Sequence, residues 1–299
     1  MDVLQELEPV VARLLERHLG NAKEWFPHEL VPWSRGRDFE AGEAFDPASA
    51  PMDEALRSAL VVNLLTEDNL PHYFETIHGM FGSGGEAWRE WARRWTAEEG
   101  RHSIAIRDYL TVSRLVDPVA LERGRMRQVS LGEVPRPATP IDGMVYVTLQ
   151  ELATRLSHGN TGRLMDDPWG RKVMARVAGD EQLHHVFYRD LVTALLEIDP
   201  NETVLAIDRN VRGFSMPGTG IDGFADHAKA IAKAGIYDFA VHHDSILVPI
   251  VVEHWDLPNL TGLSDDADEA RARCLTYIEK VGRAGRRMAA RRQEPALAS

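Results

Sequence analysis

Two Glu-x-x-His units, Glu99-Gly100-Arg101-His102 and Glu181-Gln182-Leu183-His184, constrain this 299-residue chain more than any other feature in it. On a helix, residues three apart share a face with side-chain roots about 5–6 Å apart, so each unit aims one carboxylate and one imidazole at a common point. A single such unit arises often by chance on a solvated helix; the force of the pair comes from what lies opposite. Apolar residues at Leu56, Leu60, Leu64, Phe74, Ile77 and Met80 predict a helix over residues 53–80, ended by Gly82-Ser83-Gly84-Gly85. A second helix is expected from Glu86 to about Val116, stopped by Asp117-Pro118, a third from about Asp142 to Leu164, and a fourth from about Arg171 to Ile198. If the first two form an antiparallel hairpin, the residue level with Glu99 is Glu67, because their midpoint, 83, falls inside the glycine turn. The same construction about the turn Met165-Asp166-Asp167-Pro168-Trp169-Gly170 sets Glu151 level with Glu181. At 1.5 Å of rise per residue each pair lies about 22–24 Å from its turn. Four helices thus deliver Glu67, Glu99, His102, Glu151, Glu181 and His184 at one height.

One glutamate from each of two helices and Glu-x-x-His from each of two others is the ligand set of di-iron and di-manganese carboxylate bundles. Hard oxygen donors with a few imidazoles suit iron or manganese, and the one cysteine, Cys274, is read as packing rather than ligating. Pro71 cannot donate to the carbonyl of Glu67, which predicts a distorted helix at that ligand. Thr154, three after Glu151, presents a hydroxyl either to the metals or to its own backbone. A third unit, Glu75-Thr76-Ile77-His78, lies about 16 Å along the axis from Glu67 and falls outside the set. Asp68, Glu98 and His185 are rotated about 100° from the ligands they adjoin and are expected to face elsewhere, and His242 and His243 read as ordinary residues.

These elements define an all-α fold, a four-helix bundle with one longer crossover, as a single domain over 1–299. The core bundle spans about 53–198. Residues 1–52 are expected to form a loop-rich arm around Pro27, Pro32, Pro47 and Pro51; residues 201–270 hold shorter accessory helices, and 271–299 a basic tail.

The segments Thr66-Glu67-Asp68-Asn69-Leu70-Pro71, Ala97-Glu98-Glu99-Gly100-Arg101-His102, Gln150-Glu151-Leu152-Ala153-Thr154 through Ser157-His158-Gly159-Asn160-Thr161, and Asp180-Glu181-Gln182-Leu183-His184 resemble the soluble acyl-[acyl carrier protein] desaturases, both plant plastid and actinobacterial. The similarity runs from about Leu4 to about Pro258. It implies a ferritin-like di-iron oxidase in which the six residues above hold two irons, with manganese as a possible substitute. Thr154 then stands beside the oxygen-binding side, and Trp25 with Asp180 forms an electron route through His102. It further implies a homodimer, a ferredoxin-type electron donor, an acyl carrier protein thioester as substrate, and O2-dependent introduction of a cis double bond. Two positions depart from the usual pattern: the stretch Glu98-Glu99-Gly100-Arg101-His102-Ser103, and His72. Tyr73, Ile77 and Met80 are candidate walls of a substrate channel, with an ordinary core role as the alternative. The alternatives for the whole chain are a di-iron hydroxylase acting on a carrier-bound intermediate and a non-enzymatic ferritin-like iron-binding protein.

With 46 acidic against 34 basic residues the net charge is −12, which argues against nucleic acid. The sign is uneven: residues 271–299 carry +6 and the remainder −18. An acidic carrier must therefore dock on a local basic patch, for which Arg283, Arg286 and Arg287 are one candidate. The N-terminus lacks the basic and apolar regions of a secretory signal, and no apolar stretch is long enough to span a bilayer, so the expected location is the cytoplasm.

Overall fold

The computed structural model describes residues 2–49, 52–218 and 220–293. Helix α1 covers Val3–Asn21, α2 Glu54–Glu67, α3 Leu70–Phe81, α4 Glu86–Val112, α5 Pro118–Leu131, α6 Pro140–Leu164 and α7 Pro168–Ile198. Beyond these lie α8 (Pro200–Gly213), α9 (Phe224–Lys233), α10 (Phe239–His242), a π-helix over His243–His254, and α11 (Asp265–Gln293). No strand occurs among the described residues.

The α2–α3 pair, α4, α6 and α7 form the four-helix core, with α6 and α7 packed along their length. Every residue of α6 from Ile141 to Thr154 is buried, so this helix has no solvent face and sits at the centre. Asp167 caps α7 by accepting from Trp169 N, and Pro168 occupies the first turn, which fixes the α6–α7 turn. Between α3 and α4 the chain turns through Gly85 at φ 136°, where a side chain would also collide with the Glu8 carboxylate. That carboxylate accepts from Ala87 N at 2.8 Å and so caps α4 from α1.

Four features differ from the sequence reading. Residues 53–80 are two helices, because the chain breaks at Asp68 and Asn69 and restarts with Pro71 in the first turn of α3. The segment 1–52, expected to be loop-rich, opens with the 19-residue α1, whose Leu4, Leu7, Val11, Leu14, Leu15 and His18 are buried. Their spacing of three and four is helical, and its one internal proline, Pro9, lies on the exposed side. The crossover between the hairpins contains α5. The basic tail is largely the packed helix α11, which buries Ala267, Ala270, Cys274, Ile278 and Val281 against the body and leaves its arginines outward; residues 294–299 lie outside the described residues. Burial pushes the Cys274 thiol up to about 12, which keeps it protonated and inert. No helix among the described residues is long and apolar enough to cross a membrane.

Candidate metal centre

All six residues picked out by spacing converge in the middle of the bundle. Glu67, Glu99, His102 and Glu181 offer donor atoms within 4.8 Å of one another, as do Glu99, Glu151, Glu181 and His184. Glu99 and Glu181 belong to both groups, so they lie between the two positions, with Glu67 and His102 on one side and Glu151 and His184 on the other.

The donor set fits metal ions on its own chemistry. Glu99 Oε1, His102 Nδ1, Glu151 Oε2 and His184 Nδ1 are buried and make no hydrogen bond, although His184 Nδ1 lies 2.7 Å from Glu99 Oε1. Buried polar atoms that face each other without bonding are costly unless a cation sits between them. Burial and the neighbouring Glu151 push the Glu181 carboxyl up to about 8, and burial with Glu181 raises that of Glu99. Burial also disfavours the charge on Glu67, but the nearby His102 imidazole and the bond to His158 outweigh it and hold that carboxyl below the ordinary range. Carboxylates so crowded cannot all ionise without added positive charge.

This crowding has a measurable consequence. Between pH 6.5 and 8 the folded metal-free protein keeps a proton on Glu181 that the unfolded chain, at an ordinary value of 4.5, has lost. His102 and His184, both raised well above 6.5 by surrounding carboxylates despite burial, act in the same direction. The folded state then binds more protons, so its stability falls as pH rises. His185 and His242, lowered to about 4 by burial, act the other way near pH 6.5, where the unfolded chain still protonates them, but Glu181, His102 and His184 outnumber them. The melting temperature of the metal-free protein is expected to drop from pH 6.5 to 8 and that of the metal-loaded protein to stay level; a metal-free protein that does not lose stability would contradict the crowding.

Behind each histidine stands a carboxylate from the position preceding a ligand glutamate. His102 Nε2 lies 3.5 Å from Asp180 Oδ2, which accepts from Trp25 Nε1 at 2.8 Å and pairs with Arg101 and Arg176. Burial opposes ionisation of Asp180, but these partners hold it at about 2. His184 Nε2 meets Glu98 Oε2 at 3.0 Å. Glu98 was expected to face away; it does leave the ligand positions, but it turns to the back of the facing helix's histidine rather than to solvent. Asp68 pairs with Arg125, and His185 is buried against the Thr148 carbonyl. His78 is exposed and stacks on Phe74, outside the centre, and His242 is buried against Tyr237 and Phe214.

Thr154 Oγ1 lies 2.7 Å from Glu181 Oε2 and 3.1 Å from the carbonyls of Gln150 and Glu151, so it reaches the centre and its own backbone at once. Sequence reasoning assigned no role to His158, whose Nε2 bonds Glu67 Oε1 at 2.8 Å. Its signal was present: Glu151, Thr154 and His158 follow helical spacing on one face. His18, which bonds Glu98, carried no such signal.

A chamber of about 300 Å³ opens beside the centre, with Thr154, His158, Ser157 and Thr66 at its polar side and Val62, Phe214, Phe224, Ile231 and Tyr237 among its apolar walls. Of the expected channel residues, Tyr73 lies near the centre: burial and the surrounding Tyr146, Glu67, Glu151 and Glu99 raise its phenol well above the usual range, and its hydroxyl is unpartnered. Ile77 belongs to the core, and Met80 packs beside Gly143 and lines a separate cavity of about 490 Å³.

A helical bundle whose interior turns four carboxylates and two imidazoles onto one point belongs to the class that carries metal-dependent chemistry between its helices. Residues 1–298 match the fatty acid desaturase family, and the chain belongs to that family. It is 42% identical over 261 residues to DesA1 of Mycobacterium tuberculosis, named as an acyl-[acyl-carrier-protein] desaturase, covering 84% of this chain and 77% of that one. It is 30% identical over 318 residues to the chloroplastic stearoyl-[acyl-carrier-protein] 9-desaturase of Spinacia oleracea, covering 99% and 79%. The crystal structure of DesA2 of M. tuberculosis superposes with a TM-score of 0.73 at 28% identity, over 90% of this chain and 99% of that one. The protein is an oxidoreductase with the ferritin-like all-helical fold.

Proposed function

We propose that this protein desaturates a saturated acyl chain carried on acyl carrier protein, using two iron ions and O2. The observation that carries the reading is the chamber that ends at Thr154, next to the convergent Glu67, Glu99, His102, Glu151, Glu181 and His184. Acid and base side chains cannot remove hydrogen from an unactivated methylene; iron, held by these six residues, supplies the redox chemistry. The balanced reaction takes one CH2–CH2 unit, O2, two electrons and two protons to a cis CH=CH unit and two waters.

The chain's own residues supply the rest. The apolar chamber walls orient the alkyl chain and exclude water, which limits side reactions. Thr154 Oγ1 holds a proton 2.7 Å from Glu181 Oε2 at the inner end of the chamber. Electrons arrive from a ferredoxin-type donor by way of Trp25, Asp180 and His102; Arg101 and Arg176 lie over the Trp25 ring and pair with Asp180, which holds that route in place. The exposed Val119, Met126 and Leu131 of α5 suit a homodimer contact.

The carrier fits a groove of about 900 Å³ between α9 and α11, rimmed by Lys229, Lys233, Arg291 and Arg292. Ala228 lines both this groove and the chamber, so a phosphopantetheine arm held at the rim starts next to the chamber wall. Arg283, Arg286 and Arg287, the other candidate dock, are exposed but do not line this groove. Lys229→Glu with Lys233→Glu should raise the KM for acyl carrier protein about tenfold with kcat unchanged, an effect that weakens at high salt. A KM moved instead by Arg286→Glu with Arg287→Glu would place the dock elsewhere.

The deciding experiment is turnover with reductant, O2 and a panel of acyl carrier protein thioesters, read by mass. A product 2 Da lighter than the substrate is expected. One 16 Da heavier would make the enzyme a hydroxylase, and iron uptake into a multi-subunit cage with no product would make it a store.

A further inference from the structure

The two histidines of the centre are backed by one device built from different residues. On one side Trp25 donates to Asp180 and lies flat against His102, with ring centroids 6.3 Å apart and planes at 11°. On the other side His18 Nε2 bonds Glu98 Oε2 at 2.8 Å and lies flat against His184, at 5.7 Å and 23°. Both aromatic residues come from the N-terminal segment, outside the four-helix core. Arg94 takes the second oxygen of Glu98 at 2.6 Å, as arginines flank Asp180. A single oxygen, Glu98 Oε2, is thus shared by two imidazoles. Both bonds are satisfied when each ring carries a proton on Nε2, which leaves His184 Nδ1 free to turn a lone pair to a metal at the centre.

We infer that His18 is a positioning residue for the metal subsite made by Glu99, Glu151, Glu181 and His184, acting through Glu98. The inference rests on the metal reading above. With His18 in place, Glu98 is held from two directions and orients His184. Without it, the carboxylate keeps only His184 itself and Arg94, whose side chain is 40% exposed, and is drawn toward solvent. His184 then loses the acceptor that fixes its tautomer and ring plane. Removing a partner of this sort costs about 10–100-fold in metal affinity.

The test uses the full chain loaded with Co(II) under anaerobic conditions, with metal counted per chain and release to a chelator followed through the Co(II) absorption. The unaltered protein should hold two ions. His18→Ala should keep one and release the other about 10–100-fold more readily, with the Co(II) spectrum of one subsite changed. His18→Gln, whose amide N–H can make the same bond, should recover most of the loss. If His18→Ala does not fold, Glu98→Gln decides, with the same one-ion loss expected. Two ions held with unchanged release in either variant would overturn the inference, as would equal loss of both ions or no recovery in His18→Gln. A third ion in the unaltered protein that disappears with His18 would also overturn it, by making His18, Glu98 and His184 a metal site themselves. No ion in the unaltered protein would sink the metal reading itself, a failure seen before any variant is made.

Discussion

Glu99→Ala is expected to release both metal ions and to stop product formation. Glu99 offers donor atoms to both halves of the centre, so its loss opens both. Substitutions one layer behind a metal cost about 10–100-fold, and a shared ligand must cost more, so turnover should fall by more than about 100-fold. The metal-free variant should at the same time be more stable than the metal-free parent near pH 8. Burial and Glu181 make the Glu99 charge unfavourable there, and alanine removes it. That opposition of activity and stability separates a ligand from a structural residue. Glu75→Ala and His78→Ala serve as controls, because this third Glu-x-x-His unit is exposed and away from the centre. Metal content per chain, product mass and a pH 8 melt decide the matter; two ions retained in Glu99→Ala would remove Glu99 from the ligand set.

Val11→Asp is expected to cost about 3–5 kcal/mol of stability, as an unpaired charge forced into the core does. Val11 is fully buried within α1, in the same core as Trp88, Trp91 and Leu191. Against a typical stability of about 5–15 kcal/mol, such a loss leaves a marginal fold. The control is Arg13→Asp, two residues on and exposed, which should shift stability by less than about 0.5 kcal/mol. Denaturant midpoints of the two variants compare them directly. If Val11→Asp unfolded no more easily than the control, α1 would be a detachable arm, and the roles of Glu8 at the α4 terminus and His18 behind Glu98 would fall with it.

The departures from the sequence reading share one origin. The helices of the core, their turns and the six convergent residues were legible because they depend on spacing along single helices and on symmetry about short turns. The same rule made His158 readable, although nothing in the spacing marked it as a partner of Glu67. Prolines at 27, 32, 47 and 51 drew attention from the helical spacing of Leu4, Leu7, Val11 and Leu14 ahead of them. The basic residues of 271–292 suggested a free tail because net charge hides the apolar stripe Ala267, Ala270, Cys274, Ile278 and Val281 beneath it.

By itself the sequence determined an all-helical chain with two carboxylate–histidine faces and a glutamate level with each, because a 3.6-residue period and a two-ended turn are local properties. Only the tertiary structure decided that Glu99 and Glu181 stand between the two halves, that Asp180 and Glu98 back His102 and His184, and that the chamber is walled by α2, α6, α9 and the segment before it. Those facts depend on how helices far apart in sequence dock, and docking is set by side-chain packing and buried charge, to which no periodicity along the chain refers.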